Sequence, residues 1–192
     1  PLGFKLESQE TVPSSGWKIE KVSDRKVRDE WKPLWGKRAV VEDHFNELVI
    51  DLVNPAGQLE RMQLVVRGYN DGFAFCYKIP DGKGLCVNVQ SELTAYNFAG
   101  DYTAWFYNGE NHNIGPEKLT ETDGTRLPVM TVKAGDKHYM AIHEACLETG
   151  APLVLQSKGG NRSFRSLPSR PVCRRDIHQP GVSFCMGRHL AC

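Results

Sequence analysis

The sequence predicts an all-β fold, an antiparallel β-sandwich. Apolar residues recur at every second position in several short segments, and turn-forming residues separate these segments at intervals of roughly 8–12 residues. No stretch combines a 3.6-residue apolar period with helix-capping residues. The 192 residues, 40% of them hydrophobic, suffice for one domain of ordinary globular composition, with or without a tail.

A β-hairpin is predicted in the centre of the chain. Large apolar residues recur at every second position in residues 62–66 and 73–79, and Asn70-Asp71-Gly72 between them supplies residues that tolerate positive φ. Residues 114–127, rich in Thr, Glu, Gly and Pro, are predicted to form a long loop. Further strands are predicted at 47–53, 85–89, 93–98, 103–107, 129–133, 138–143 and 153–156, with a turn at Gly135-Asp136.

The end of the chain differs in composition from the rest. Residues 166–192 hold three of the six cysteines, three prolines, and four arginines against one aspartate, with no period of 2 or 3.6. We therefore predict a β-domain at residues 1–165 and an irregular tail at 166–192, disordered or translated out of frame. Pro1-Leu2-Gly3 resembles the middle of a strand, so the sandwich is expected to be incomplete at its N-terminus.

Charge and hydropathy exclude two classes of partner. A net charge of +1 argues against electrostatic binding of nucleic acid. No apolar run approaches the roughly 18 residues of a membrane span, and the first residues do not resemble a signal peptide.

Three segments, in fixed order, carry a family resemblance. Residues 30–48 include Glu-Trp-Lys-Pro-Leu-Trp-Gly and Val-Glu-Asp-His-Phe-Asn-Glu-Leu, residues 67–75 read Arg-Gly-Tyr-Asn-Asp-Gly-Phe-Ala-Phe, and residues 139–145 read Tyr-Met-Ala-Ile-His-Glu-Ala. This set is similar to the N-terminal domain of glycoside hydrolase family 97, the α-glucosidases and α-galactosidases. The resemblance covers residues 1 to about 164.

The resemblance implies a three-part enzyme, in which a supersandwich-like β-sandwich precedes a catalytic (β/α)8 barrel and a small C-terminal β-domain. The barrel carries the catalytic carboxylates. This chain is then expected to support the barrel and wall the sugar pocket without catalysing alone. The intact enzyme would act on α-glucosides or α-galactosides, in the periplasm or secreted. The alternative is a free-standing carbohydrate-binding β-sandwich module.

Motif match places Glu144 where inverting members of the family lend a glutamate to calcium. Calcium takes about 6–8 oxygen ligands, so one glutamate cannot hold it, and the barrel is expected to supply the others. We expect no calcium in this chain alone. The residues themselves favour the alternative, in which Glu144 follows an alternating strand and would be a strand-end carboxylate that faces solvent or pairs with a lysine.

Polar residues near the start of strand 47–53 suggest a second site. His44, Asn46 and Glu47 precede or begin a strand whose inner face is expected to carry Leu48 and Ile50. Polar side chains in such places usually satisfy neighbouring backbone groups. We therefore interpret these three residues as structural. No pair of carboxylates forms a persuasive acid/base couple for glycoside hydrolysis.

The four tryptophans, Trp17, Trp31, Trp35 and Trp105, could stack on sugar rings, but core or interdomain packing is the preferred interpretation. A surface that faces the barrel in the intact enzyme would be substantially apolar.

Cys76 and Cys86 would lie nearly opposite each other if a hairpin turn centres on residues 81–82, and we predict free thiols there. The cysteines and histidines of the tail do not reproduce a zinc-binding spacing. They are Cys173, His178, Cys185, His189 and Cys192.

Overall fold

The computed structural model describes residues 2–6, 11–13, 16–57, 59–79, 89–109, 113–144, 153–168 and 182–189. These residues form fifteen strands and contain no helix, which confirms the predicted all-β class. Within the same ranges, therefore, no helix could cross a membrane. The strands are β1 (Phe4–Leu6), β2 (Thr11–Val12), β3 (Lys18–Trp31), β4 (Val41–Val53), β5 (Arg61–Tyr69), β6 (Gly72–Ile79), β7 (Val89–Glu92), β8 (Ala95–Asn97), β9 (Thr103–Tyr107), β10 (Asn113–Lys118), β11 (Asp123–Lys133), β12 (Tyr139–His143), β13 (Leu153–Lys158), β14 (Ser163–Pro168) and β15 (Val182–His189).

The strands form two antiparallel sheets. The small sheet has the order β2-β1-β7. The large sheet has twelve strands, with the path β3-β4-β5-β6-β15-β12-β11-β13-β14-β8, and β9 joins β11 while β10 pairs with β9. Two packed sheets with alternating strand faces are the architecture of a β-sandwich.

One apolar core joins the two sheets. Phe4 of the small sheet packs edge-on against Tyr77 of the large sheet, with ring centroids 5.4 Å apart. At the other end of the core, the Phe164 ring contacts Phe98 at 6.3 Å and Phe106 at 5.7 Å. Phe106 and Phe164 are almost completely buried. Large aromatic side chains therefore hold the sandwich together at several points along its length.

Two predicted hairpins are confirmed. Tyr69 lies opposite Gly72, so Asn70-Asp71 forms a two-residue connection between β5 and β6. Between β11 and β12, the Ala134 N–H donates to the His138 carbonyl over 2.8 Å. The hairpin turn considered at residues 81–82 and most of the predicted strand at 85–89 lie outside the described residues.

The predicted loop at 114–127 is wrong. Residues 113–118 form β10, and β11 begins at Asp123. The register shift between Ile114 and Glu117 marks a bulge around Gly115-Pro116. Among the described strands β10 pairs with β9 alone, so a proline there removes no donor from a central ladder. Gly115 has φ of 115°, and a Cβ would lie 2.5 Å from the Ala104 carbonyl oxygen, so only glycine fits this approach.

β3 was not among the predicted strands. Its sequence is dominated by charged residues, so the alternation that marks a half-buried strand is missing. It pairs with β4 over its whole length, from Lys18 opposite Val53 to Trp31 opposite Val41. We call residues 18–53 the ribbon and residues 31–41 the ribbon tip.

The inner face of β4 also differs from prediction. Leu48 is 37% exposed, whereas Phe45 and Glu47 on the opposite face are buried. Further along the strand, Leu52 packs against the core as its alternation predicts. The difference arises because Arg25 of β3 and Arg67 and Tyr69 of β5 cover the opposite face of this half of β4.

The tail differs from the predicted irregular segment. β14 continues to Pro168, past residue 165, and β15 (Val182–His189) lies between β6 and β12. In the sequence, Val182, Phe184 and Met186 alternate, a short β-forming pattern inside an arginine- and proline-rich region. The division into two parts at residue 165 stays a prediction.

Candidate functional site

Glu144 follows β12 directly and is half-buried. Its Oε1 accepts a hydrogen bond from the backbone N–H of Leu153, the first residue of β13. The carboxylate therefore joins the end of one strand to the beginning of another. This contact orients the side chain and leaves lone pairs on both carboxylate oxygens for a further ligand.

A complete calcium site is not formed by the part of the chain that the structure describes. In these residues no three His, Cys, Asp or Glu side chains come together to hold a metal. Since calcium takes about 6–8 oxygen ligands, Glu144 could act only as one ligand of a site completed by other groups.

Glu47 lies at the centre of a charged cluster that joins the ribbon to β5. Its Oε1 accepts from Arg25 Nε at 2.5 Å, and its Oε2 accepts from Arg67 Nε at 2.7 Å. The hydrogen bond from Arg25, followed by that from Arg67, holds the pKa of Glu47 below its ordinary value in spite of burial. The Arg67 guanidinium lies 4.3 Å from the Phe45 ring centroid, and Phe45 contacts Tyr69.

The structure separates the polar residues that the sequence placed together. His44 is half-exposed, with Nδ1 3.7 Å from Glu42 Oε2, and Asn46 is exposed. Glu47 points to the other face of β4 and pairs with arginines rather than with the backbone groups we expected. One sequence signal could have revealed this cluster, namely that Phe45 and Glu47 alternate along their strand opposite Arg67. Using this signal requires knowing the register of the strands.

A second shielded carboxylate belongs to Glu92, a half-buried residue where the small sheet meets the large one. Its Oε2 accepts from Ser166 Oγ at 2.7 Å, while Thr94 Oγ1 lies 3.4 Å from the Tyr77 hydroxyl. Desolvation raises the pKa of Glu92 and raises that of Tyr77 to about 12. These contacts bridge β7 and β14, which gives Glu92 a structural role. The sequence contained no signal for this cluster.

The tryptophans occupy different environments. Trp17 packs against the core and Trp105 is half-buried. By contrast, Trp31 is 54% exposed and Trp35 is 88% exposed, both at the ribbon tip. Core packing is therefore wrong for Trp31 and Trp35, and interdomain packing stays a prediction for them.

Cys76 is buried in β6, opposite Cys185 in the register of β15. Cys86, which was expected to lie nearly opposite Cys76, is outside the described residues. Cys173, His178 and Cys192 are also outside them.

Fold and site together define a large antiparallel β-sandwich domain with a projecting ribbon and a strand-end glutamate. The chain belongs to the glycosyl-hydrolase 97 N-terminal family, whose model matches residues 1–172. A probable retaining alpha-galactosidase from Streptomyces bingchenggensis (strain BCW-1) is 27% identical over 184 residues, which are 95% of this chain and 25% of that protein.

Solved structures share the fold. A glycoside hydrolase family 97 enzyme from Pseudoalteromonas sp. strain K8, in complex with acarbose, matches with a TM-score of 0.83 and 23% identity, over 99% of this chain and 30% of that one. A beta-arabinopyranosidase matches with a TM-score of 0.77 and 16% identity, over 100% of this chain and 34% of its own. This chain thus spans about a quarter to a third of the length of these relatives.

Proposed function

We propose that this chain is the supporting N-terminal β-sandwich of an α-glucosidase or α-galactosidase of family 97, with no catalysis of its own. One observation carries the proposal: the family match covers residues 1–172, while the chain spans only 25% of its galactosidase relative. In the whole enzyme the domain would pack against the catalytic barrel and wall the sugar pocket. Its place of action would be the periplasm or the exterior.

The surroundings of Glu47 and Glu92 support a structural role. Glycoside hydrolysis uses two carboxyl groups about 5–5.5 Å or about 6.5–9.5 Å apart, one of them with a raised pKa. Glu47 is held ionised by Arg25 and Arg67, so it is a poor proton donor. Glu92 has the raised pKa of a general acid, but it hydrogen-bonds Ser166 between the two sheets.

Hydrolysis assays test the absence of catalysis. The purified chain should release no nitrophenol from nitrophenyl α-glucoside or α-galactoside above the buffer rate. Sustained release that copurifies with the chain would contradict the proposal.

Glu144 is proposed as one calcium ligand in the intact enzyme. The support is its half-buried carboxylate, oriented by the Leu153 N–H at a strand end. In an enzyme that carries this chain as its N-terminal domain, Glu144→Gln should weaken calcium binding in calorimetry by about tenfold or more. Glu121→Gln, on a carboxylate that accepts from the Lys118 N–H, is the matched control and should bind as the parent does. Equal calcium affinity for both variants would remove Glu144 from the site.

The alternative function is a free-standing carbohydrate-binding module. The exposed rings of Trp31 and Trp35 favour it, because flat aromatic surfaces can stack on sugars. Calorimetric titration of the purified chain with maltooligosaccharides separates the two functions. Our proposal predicts no measurable binding, whereas binding lost in Trp35→Ala would establish the module.

A further inference from the structure

The ribbon projects past the rest of the large sheet. β4 pairs with β5 only up to Asn46, opposite Gly68, while its pairing with β3 continues to Val41, opposite Trp31. Phe45 still contacts Tyr69 of β5, and the four pairs beyond it, from His44 opposite Arg28 to Val41 opposite Trp31, extend the ribbon by roughly 13 Å as two strands alone. Two-stranded hairpins are only marginally stable in water, so this extension gains little from its own backbone.

The base of the projection is braced. Arg67 lies over Phe45 and bonds Glu47, and Arg28 Nη1 donates to the Phe45 carbonyl over 3.3 Å. These contacts fix the direction of the ribbon at residues 45–47. None of the residues beyond them, from 31 to 41, belongs to the apolar core formed by the described residues.

The ribbon tip is apolar and basic. Leu34 is fully exposed and Trp35 is 88% exposed, with Trp31 and Val40 also open to solvent. Residues 31–41 contain Lys32, Lys37 and Arg38 and no acidic residue. Large exposed apolar side chains with a charged rim are typical of interaction surfaces, and tryptophan is among the residues that contribute most to binding.

The comparisons indicate what covers the tip. The family relatives are much longer than this chain, which spans 25% of the galactosidase and 30% of the Pseudoalteromonas enzyme. Most of each relative is therefore available to cover the sandwich. A catalytic domain is the partner that the enzyme homologues imply.

We infer that the ribbon tip is a docking element, in which Leu34 and Trp35 enter an apolar pocket with an acidic rim on the catalytic barrel. This inference rests on the proposed function and names the surface through which the sandwich would hold the barrel. Lys32, Lys37 and Arg38 would face the acidic rim and speed association. Raising the salt concentration should therefore weaken binding.

Co-expression tests the inference. The chain, with an affinity tag, is produced together with the part of the Pseudoalteromonas enzyme that follows its matching segment. The positive control is that enzyme's own N-terminal segment, tagged in the same way. The test variant is Leu34→Ser with Trp35→Ser. The matched control is Tyr107→Ser with Leu127→Ser, a pair of exposed apolar residues that face each other across β9 and β11.

The docking inference predicts that the parent chain and the matched control capture the catalytic part, while the tip variant captures at least about tenfold less. Because the substituted tip side chains are exposed, all chains should melt at the same temperature. Equal capture by the tip variant would overturn the docking inference and leave the proposed function standing. If the parent chain does not capture the catalytic part while the positive control does, both the docking inference and the proposed function are overturned.

Phosphatidylserine vesicles provide a second arm, since aromatic and basic residues also bind anionic lipid. The docking inference predicts no cosedimentation of the parent chain. Cosedimentation that the tip variant loses would overturn the inference in favour of a membrane surface.

Discussion

The ribbon and the core-bearing part of the sandwich are stabilised by different chemistry. In the core, Phe98, Phe106 and Phe164 pack against one another and exclude water. In the ribbon, Glu47 pairs with two arginines, and Phe45 is the one buried hydrophobic side chain. The difference teaches that aromatic packing stabilises the core, whereas the ribbon depends on a polar brace and ends in a tip whose apolar side chains are exposed among the described residues.

The largest expected effect is in the core. Phe164→Ala removes a buried ring that contacts two other aromatic residues, so it should lower the free energy of unfolding by about 3–5 kcal/mol in urea titration. Phe73→Ala, on a ring that is 37% exposed, is the control and should cost clearly less. Similar losses for both would mean that the aromatic cluster does not dominate stability.

The brace of the ribbon gives the next effect. Glu47→Ala leaves Arg67 without its carboxylate beside Phe45 and should cost about 1–3 kcal/mol. The near-ultraviolet circular dichroism of the Phe45–Tyr69 pair should change as well. His44→Ala, on the more open face of β4, serves as the control. If Glu47→Ala unfolds like the parent chain, the ion cluster does not brace the ribbon.

The carboxylates of Glu47 and Glu92 predict opposite dependences of stability on pH. The pKa of Glu47 is lowered from its ordinary value of 4.5, so its contribution is present above that value and is lost as the pH falls through the folded-state pKa. The pKa of Glu92 is raised from 4.5, so its contribution is present below that value and is lost as the pH rises through the raised pKa.

Glu92→Gln tests this opposition. The amide keeps an oxygen that can accept from Ser166 but carries no charge, so the variant should be more stable than the parent above the raised pKa of Glu92. Free energies of unfolding measured from pH 4 to pH 8 should show the gap between variant and parent widening as the pH rises. A gap that is constant with pH would contradict the assignment.

The smallest effect is expected at the exposed edge. Arg61 donates to both oxygens of Glu20, at 2.7 and 3.0 Å, but both side chains are open to water. Arg61→Gln should leave the urea midpoint unchanged within error, because solvent and salt screen such a pair. A clearly lower urea midpoint would show that the exposed edge of the ribbon contributes measurably to stability.

The sequence predicted the parts of the fold in which burial alternates. Strand β9 (Thr103–Tyr107) and the Asn70-Asp71 connection follow directly from period-two apolar residues and turn chemistry. β3 could not be found in this way because its side chains are mostly charged and exposed. β10 was missed because Gly115-Pro116 is typical of a loop. A strand can contain this pair only because of the bulge and the edge position, which the sequence does not show.

The sequence also predicted some features of the candidate site and missed others. Glu144 was identified by motif, and the structure adds its hydrogen bond from Leu153, which depends on where β13 begins. The pairing of Glu47 with Arg25 and Arg67 required the register of three strands, since the partners are 22 and 20 residues away in sequence. The sequence showed the ribbon tip as a motif with two tryptophans. Its exposure could not be predicted, because it depends on how far β3 and β4 extend beyond the end of β5.

Hydrogen–deuterium exchange tests the central contrast most directly. It is measured on the purified chain and again in its complex with the catalytic part of the Pseudoalteromonas enzyme. Amides of β9, β11 and β13 should exchange slowly in both samples, whereas amides at residues 27–31 and 41–45 should exchange quickly in the chain alone and slow by about tenfold or more in the complex. A ribbon as protected as the core in the chain alone, or one unchanged by the complex, would contradict the account.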